Sequence, residues 1–275
     1  FAINKKKQII IFQVRPLAAN SKYPEYNDLK IFDNHKKIKN LYKKEINHLG
    51  DGDVILSDMG FWNPAELIGD RPLPLGESLF NEILMNDIWN SSLLPLGYSK
   101  SKGSLSTKIG NKPYINLKKS FETLVPKEIP DYLKDKLIKY YNKKLKSYPQ
   151  YHDKLEFEVA LSSFNMNTNN SMNELLKNNF NIDEINQIRN SLYKLTKNIF
   201  KNYKDIFTND TISIKRLIKN FKYIPTTKDN WKRNLLMLVT YIGQIQKNGT
   251  PQFCRAARLT FIAKDFIKSF IDHNP

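Results

Sequence analysis

The first 17 residues carry the hydrophobic pattern of a β-hairpin. Apolar residues fill most of the runs 1–3 and 9–12, and three lysines at 5–7 separate them. The second run is β-branched and aromatic, which is typical of a buried strand. Pro16 has no N–H to donate to a ladder and therefore ends that strand. The two predicted arms are residues 1–4 and 8–14.

Residues 18–170 alternate between helical and strand-like patterns. Apolar residues recur at helical spacing in three segments, which predicts helices at 28–49, 76–94 and 130–148. Asn63 precedes Pro64, the usual order at the start of a helix, and predicts a further short helix there. Short strands are predicted at 54–57, 104–108, 113–117 and 155–164.

After residue 171 the pattern is helical throughout, with predicted helices at 171–179, 182–204, 211–222, 228–247 and 251–272. The predicted fold class is therefore α+β and predominantly helical. It combines an N-terminal β-hairpin, a few short strands and a C-terminal region resembling a helical bundle. The predicted domains are residues 1–17, 18–170 and 171–275.

The composition excludes several classes of protein. Hydrophobic residues make up 40% of the 275 residues, which is enough for a packed core. No apolar run reaches the roughly 18 residues of a membrane-spanning helix. The single cysteine, Cys254, excludes a disulfide framework. We expect a cytoplasmic protein without a membrane span. Because the chain starts with Phe1 inside a strand-like run, we also expect a segment of a longer polypeptide.

The formal net charge of +17 favours anionic partners such as nucleic acid or phosphorylated small molecules. Most of the basic residues are lysines, and asparagine and isoleucine are also abundant. An AT-rich genome produces the same bias through its codons. On that explanation the lysines form a solvated surface and do not mark a binding site. A basic helical nucleic-acid-binding module is therefore kept as an alternative and ranked below the interpretation that follows.

The first candidate site is the end of the second hairpin strand. Alternation along the strand places Gln13 and Arg15 on the same face. A guanidinium offers a planar fork of donors that matches phosphate oxygens. The same pair also suits a surface or structural ion-pair role.

The second candidate site is residues 51–69, a loop followed by a short helix. It contains Asp51, Asp53, Asp58, Asn63 and Glu66 beside Phe61 and Trp62, and Arg71 follows it as a further candidate. The spacing fails the EF-hand pattern, which needs a glycine at loop position six and a glutamate at twelve. The segment is either a structured surface loop with helix caps or a substrate or nucleotide contact.

Two further candidates lie later in the chain. Glu156 and Glu158 would share one face of the predicted strand, and paired carboxylates support acid–base work or hold a metal. The alternative interpretation is that both glutamates face solvent and pair with lysines. Arg255 and Arg258 are one helical turn apart, so Arg258 would meet either a phosphate or an acidic or partner-domain contact.

Two groups of residues resemble a known family. The run FAI at 1–3 and the run IFQVRPL at 11–17 resemble the end of the ATP-grasp-like nucleotide-binding domain of phosphoenolpyruvate synthases and pyruvate phosphate dikinases. Segments 56–69 (LSDMGFWNPAELIG), 113–116 (PYIN), 152–158 (HDKLEFE) and 249–253 (GTPQF), with Ala256 and Arg258, resemble a mostly helical insert in a subgroup of synthase-like proteins.

The resemblance implies an ATP-dependent phosphotransferase. ATP with Mg²⁺ would phosphorylate a carrier histidine, which would pass the phosphoryl group to pyruvate or a similar small-molecule acceptor. It implies that Arg15 and Gln13 face the ATP phosphates and metal, with Arg15 catalytic. The expected partners are the rest of the ATP-binding domain and a downstream phosphohistidine domain of the same polypeptide. The phosphohistidine signature is absent from these residues, so the segment alone is expected to be inactive. A structural spacer between catalytic domains is a further alternative for residues 18–275.

Overall fold

The computed structural model describes residues 2–3, 9–10, 35–40, 42–44, 54–221 and 230–273. The chain divides into two compact units, Phe1–Lys43 and Lys44–Pro275. The hydrophobic core of the second unit takes residues from both sides of position 170. The three domains drawn from the sequence stay a prediction.

The first unit contains the predicted hairpin. Strand β1 (Ala2–Ile3) pairs with β2 (Ile9–Ile10) in antiparallel register, with Ala2 opposite Ile10 and Ile3 opposite Ile9. Gln13 and Arg15 follow β2 in sequence and lie outside the described residues. Residues 35–40 and 42–44 are helical, within the helix predicted at 28–49.

The second unit has a small antiparallel sheet. Its strands are β3 (Leu56–Ser57), β4 (Ser106–Ile109) and β5 (Lys112–Asn116), in the order β3-β5-β4. Gly110 turns the chain between β4 and β5 at a φ of 64°, where a residue without a Cβ is favoured. These strands confirm the predicted ones, apart from shifted ends.

Helices form the rest of the second unit. Those of the first half are α1 (Pro64–Leu67), α2 (Pro74–Phe80), α3 (Ile88–Ser92), α4 (Leu117–Glu122) and α5 (Asp131–Ser147). Those of the second half are α6 (Thr168–Leu176), α7 (Ile182–Phe221), α8 (Trp231–Asn248) and α9 (Thr250–His273). The fold is therefore α+β and mostly helical, as predicted. Within the described ranges, no helix is both long and apolar enough to cross a bilayer.

Helix α5 shows how the pattern produces the core. Leu133, Leu137, Tyr141 and Leu145 recur every four residues, and all four are buried. Charged and polar residues occupy most of its exposed positions. The Tyr141 hydroxyl accepts a hydrogen bond from the Leu161 backbone N–H at 3.1 Å, so its polar tip is satisfied inside the core.

The strand predicted at 155–164 is wrong. Residues Leu155–Val159 form one π-helical turn, closed by a 2.8 Å hydrogen bond from the Ala160 N–H to the Leu155 carbonyl. The segment alternates apolar and acidic residues, which mimics a strand. The buried positions are nevertheless Leu155, Glu156 and Val159, and that spacing fits a helical turn.

Helices α2 and α7 also differ from the prediction. Helix α2 begins at Pro74, two residues before the predicted start at residue 76, because proline is well suited to the first helical position. Helix α7 is one 40-residue helix and not the two predicted at 182–204 and 211–222. The polar residues between the two predicted helices include Asp210, which is buried and binds Arg255 of α9.

Candidate functional site

Three segments distant in sequence enclose a groove of about 510 Å³ in the second unit. The turn before α1 and α1 itself form one side, residues 152–156 form another, and one face of α9 forms the third. Trp89 of α3 completes the lining. The term "aromatic groove" is used below for this cavity.

Five aromatic rings line the aromatic groove, and four of them contact one another. The Trp62 ring lies 5.4 Å from Trp89, edge-on, and 5.3 Å from Phe253. Phe61 lies 5.4 Å from Trp89 on the other side. The Trp89 indole N–H donates a buried hydrogen bond to the Thr123 hydroxyl at 3.4 Å, which helps to fix the orientation of this ring. Such contacts hold the wall in place before any ligand arrives.

A tight turn presents Trp62. The Asn63 N–H donates to the Gly60 carbonyl at 2.9 Å, and Trp62 adopts a φ of 63°. A left-handed conformation at a bulky residue costs on the order of 1–3 kcal/mol and concentrates at functional sites. A Cβ on Gly60 would lie 2.9 Å from the Leu117 side chain, so the turn sits directly on the sheet and on α4.

The Trp62 indole N–H is buried and meets no acceptor in the part of the chain that the structure describes. A buried donor without a partner costs stability, and such groups are rare in native proteins. Trp62 lines the groove, while its indole N–H is closed off from solvent.

Glu156 is the buried acid of the aromatic groove. Its side chain is only 9% exposed, and burial raises the pKa of its carboxyl above the ordinary value. Its own backbone N–H and the positive charges of Arg258 and Lys264 act in the opposite direction on that pKa. Glu156 forms no ion pair with any residue that the structure describes.

The remaining polar residues of the lining sit nearer the rim. Glu66 and Asp153 are exposed, and His152 is half-buried. The His152 Nδ1 lies 3.0 Å from the Pro149 carbonyl oxygen. Asn63 caps α1 as predicted, because its Oδ1 accepts from the Glu66 N–H at 3.2 Å.

Asp58 and Arg71 do not line the aromatic groove. Asp58 pairs with Lys112 at 2.7 Å, and Lys112 also contacts Asp70 at 2.7 Å. The hydrogen bond from Lys112 lowers the pKa of the Asp58 carboxyl. Arg71 is exposed, next to Asp70. These residues tie the loop to β5, which supports the surface-loop interpretation for this half of the segment.

Glu156 and Glu158 do not form the carboxylate pair that a shared strand face would create. The helical turn sends them into different cavities. Glu158 pairs with Lys268 at 2.9 Å and lines a separate cavity of about 230 Å³, together with Asp265 and Asp272. A two-carboxylate acid–base or metal site at 156 and 158 is therefore wrong.

Arg258 lies inside the protein, where it is 3% exposed. Its Nε donates to the Tyr98 hydroxyl at 3.1 Å, and the guanidinium lies 5.3 Å from the centre of the Tyr98 ring. Tyr98 in turn donates to the Ser162 carbonyl at 2.7 Å. Arg258 therefore fastens α9 to the loop before α6, and it does not line the aromatic groove.

The sequence interpretation missed most of the aromatic wall. Phe61 and Trp62 were noted as neighbours of the candidate loop, whereas Trp89, Phe253 and Phe261 were assigned no role. A signal was present in α9, where Phe253, Ala257 and Phe261 recur every four residues and line one wall. Their position opposite Trp62 depends on packing between distant segments.

The residues implied for ATP and Mg²⁺, Gln13 and Arg15, lie outside the described residues. Over the ranges that the structure does describe, no group of three or more His, Cys, Asp or Glu side chains is placed to hold a metal ion. No family model, curated protein or solved structure matches this chain, and the resemblance to phosphoenolpyruvate synthases stays a prediction.

Proposed function

We propose that this chain is part of a cytoplasmic, ATP-dependent phosphotransferase of the phosphoenolpyruvate-synthase type. In this proposal ATP phosphorylates a carrier histidine that lies outside the 275 residues. The histidine then passes the phosphoryl group to a small-molecule acceptor, which binds in the aromatic groove. The groove has the concave shape, apolar wall and few polar groups that are typical of small-molecule sites.

One observation carries the proposal. The resemblance singled out segments 56–69, 152–158 and 249–253, which lie roughly 90 residues apart along the chain. All three contribute residues to the same groove. The fourth segment, 113–116, lies next to the wall of the groove, because the Ile115 side chain packs against Gly60. If these segments resemble the insert because they serve one function, they are expected to lie together at one site, and all three line the aromatic groove.

In this proposal Arg15 and Gln13 act on the ATP side. The Arg15 guanidinium would contact two oxygens of the transferring phosphoryl group and stabilise its charge. Gln13 would support the geometry of the phosphates and Mg²⁺. Such positioning and charge stabilisation provide most of the catalysis in phosphoryl transfer.

Arg15→Ala in the full protein tests the proposal. The protein is incubated with radiolabelled ATP, and acid-labile, base-stable phosphate on histidine is measured. We expect the substitution to lower labelling by orders of magnitude while the melting temperature stays unchanged. Arg15→Lys should rescue only part of the activity, because an ammonium lacks the planar fork. The matched control is Arg216→Ala, an exposed arginine on α7. Labelling at the wild-type rate in Arg15→Ala would refute the proposal.

A further inference from the structure

The charge of the aromatic groove is opposite to that of the whole chain. The chain has a formal net charge of +17. Three carboxylates line the groove, Glu66, Asp153 and Glu156, and no lysine or arginine is among the described residues that line it. An anionic ligand such as pyruvate would meet like charges here, whereas a cation would meet three opposite ones.

Glu156 is the one of these three carboxylates that is buried, so it concentrates the negative charge at one point of the groove. It is 9% exposed and has no ion-pair partner in the described ranges, although it borders a cavity large enough for a small molecule. The positive charges of Arg258 and Lys264 favour its ionised form, but neither side chain forms an ion pair with it, and a buried carboxylate without a paired cation is costly. An ammonium group in the groove would supply the missing partner through a charge-assisted hydrogen bond.

The wall suits the rest of such a ligand. The aromatic faces of Trp62, Trp89, Phe253 and Phe261 offer apolar contact area, and tryptophan faces also attract cations. The groove thus combines an apolar, aromatic wall with an excess of hydrogen-bond acceptors.

We infer that the aromatic groove binds an organic cation, a molecule with an ammonium group on an apolar or aromatic body. Glu156 binds the ammonium group, and the tryptophan and phenylalanine rings bind the body. The inference rests on the proposed function only for the groove as a small-molecule site, and it does not depend on phosphoryl transfer. Under the proposed function, the phosphoryl acceptor that binds in this groove would be an amine and not an acid such as pyruvate.

A matched ligand series tests the inference on the 275-residue chain. The probes are 2-phenylethylamine, 2-phenylethanol and phenylacetate, which share a body and differ in charge. Binding is followed by calorimetry and by tryptophan fluorescence, because two of the three tryptophans line the groove. Physiological salt screens the general positive charge, which by itself favours the carboxylate. We expect the amine to bind at least about tenfold more tightly than phenylacetate.

Paired variants locate the effect. Glu156→Gln keeps the size of the side chain and should weaken amine binding by about tenfold or more. Glu158→Gln, two residues away in the other cavity, should leave it unchanged. Glu66→Gln at the rim provides a second groove variant if Glu156→Gln does not fold, which a melting curve reveals. It should also weaken amine binding, although less, because Glu66 is exposed.

The outcomes separate the inference from the proposed function. If phenylacetate binds as tightly as the amine, or if Glu156→Gln folds and leaves amine binding unchanged, the inference is overturned and the groove remains a small-molecule site. If none of the three probes binds up to its solubility limit, both the inference and the role of the groove in the proposed function are overturned.

Discussion

Replacing Asp210 with asparagine tests how α7 and α9 are held together. The Arg255 guanidinium donates from Nε to Asp210 Oδ2 at 2.8 Å and from Nη2 to Oδ1 at 2.5 Å. Both side chains are 12% exposed. The ion pair is therefore bidentate and largely shielded from water. In this geometry an ion pair is strong when intact and costly when only one partner is removed.

The expected cost of Asp210→Asn follows from that geometry. Removing one member of a buried pair costs about 3–5 kcal/mol, because the other charge stays buried. Arg255 keeps a 3.3 Å hydrogen bond to the Ser92 carbonyl, and an asparagine oxygen still accepts one bond. We therefore expect the lower end, about 3 kcal/mol. At about 2–4 °C per kcal/mol, the melting temperature should fall by about 6–12 °C.

Urea unfolding of the 275-residue chain, followed by circular dichroism, measures this loss. Asp205→Asn is the matched control, an exposed aspartate on the same helix, and should change stability by less than about 0.5 kcal/mol. The double variant Asp210→Leu with Arg255→Met should recover most of the loss, because it leaves no charge unpaired. A loss below about 1 kcal/mol in Asp210→Asn would show that the pair is exposed or absent, and the packing of α7 on α9 would need revision.

Three further outcomes follow from the structure. Gly60→Ala should destabilise the protein by about 1–3 kcal/mol in the same unfolding assay, since its Cβ would lie 2.9 Å from Leu117, whereas Gly76→Ala, in open space on a helix, should be neutral or stabilising. Burial raises the pKa of the Cys254 thiol to about 12. About one thiol in 10,000 is then ionised at pH 8, so Ellman's reagent should react only after urea is added, and rapid labelling of the folded chain would contradict this burial. Duplex DNA should bind weakly and be released at physiological salt in a filter-binding assay, because we attribute the +17 charge to a codon bias, and submicromolar affinity at that salt would favour the nucleic-acid alternative.

Local signals predicted much of the fold. Asn63 and Pro64 identified the start of α1, and the four-residue recurrence of Leu133, Leu137, Tyr141 and Leu145 identified α5. Such features depend on residues close together in sequence, so they can be recognised before the packing is known.

The continuity of α7 was not predictable in this way. The stretch 205–210 contains Asp205, Thr208, Asn209 and Asp210, residue types that commonly break helices. The helix continues through them, and Arg255 pairs with Asp210 from a position 45 residues away. A tertiary contact outweighs local propensity here, and nothing within the segment itself indicates it.

Individual residues of the aromatic groove could be predicted from the sequence, but their assembly could not, because it also depends on tertiary contacts. Glu66 and Glu156 were named from the sequence, but their meeting at one cavity depends on how α1, residues 152–156 and α9 pack. Trp62, which has both the unusual backbone and the unpaired N–H, showed only its aromatic character in sequence. Its φ of 63° is imposed by the turn onto the sheet beneath it.

The five residues of the π-helical turn, Leu155–Val159, decide what chemistry Glu156 and Glu158 can support. On a strand, residues two apart lie on the same face, so Glu156 and Glu158 would have formed a dyad. A helical turn rotates residues two apart by about 200°, which separates them onto opposite sides. Glu158 is then paired with Lys268, whereas Glu156 forms no ion pair with any residue that the structure describes. One buried carboxylate against an aromatic wall does not support the proton exchange of a dyad, but it does match a single positive charge on a ligand.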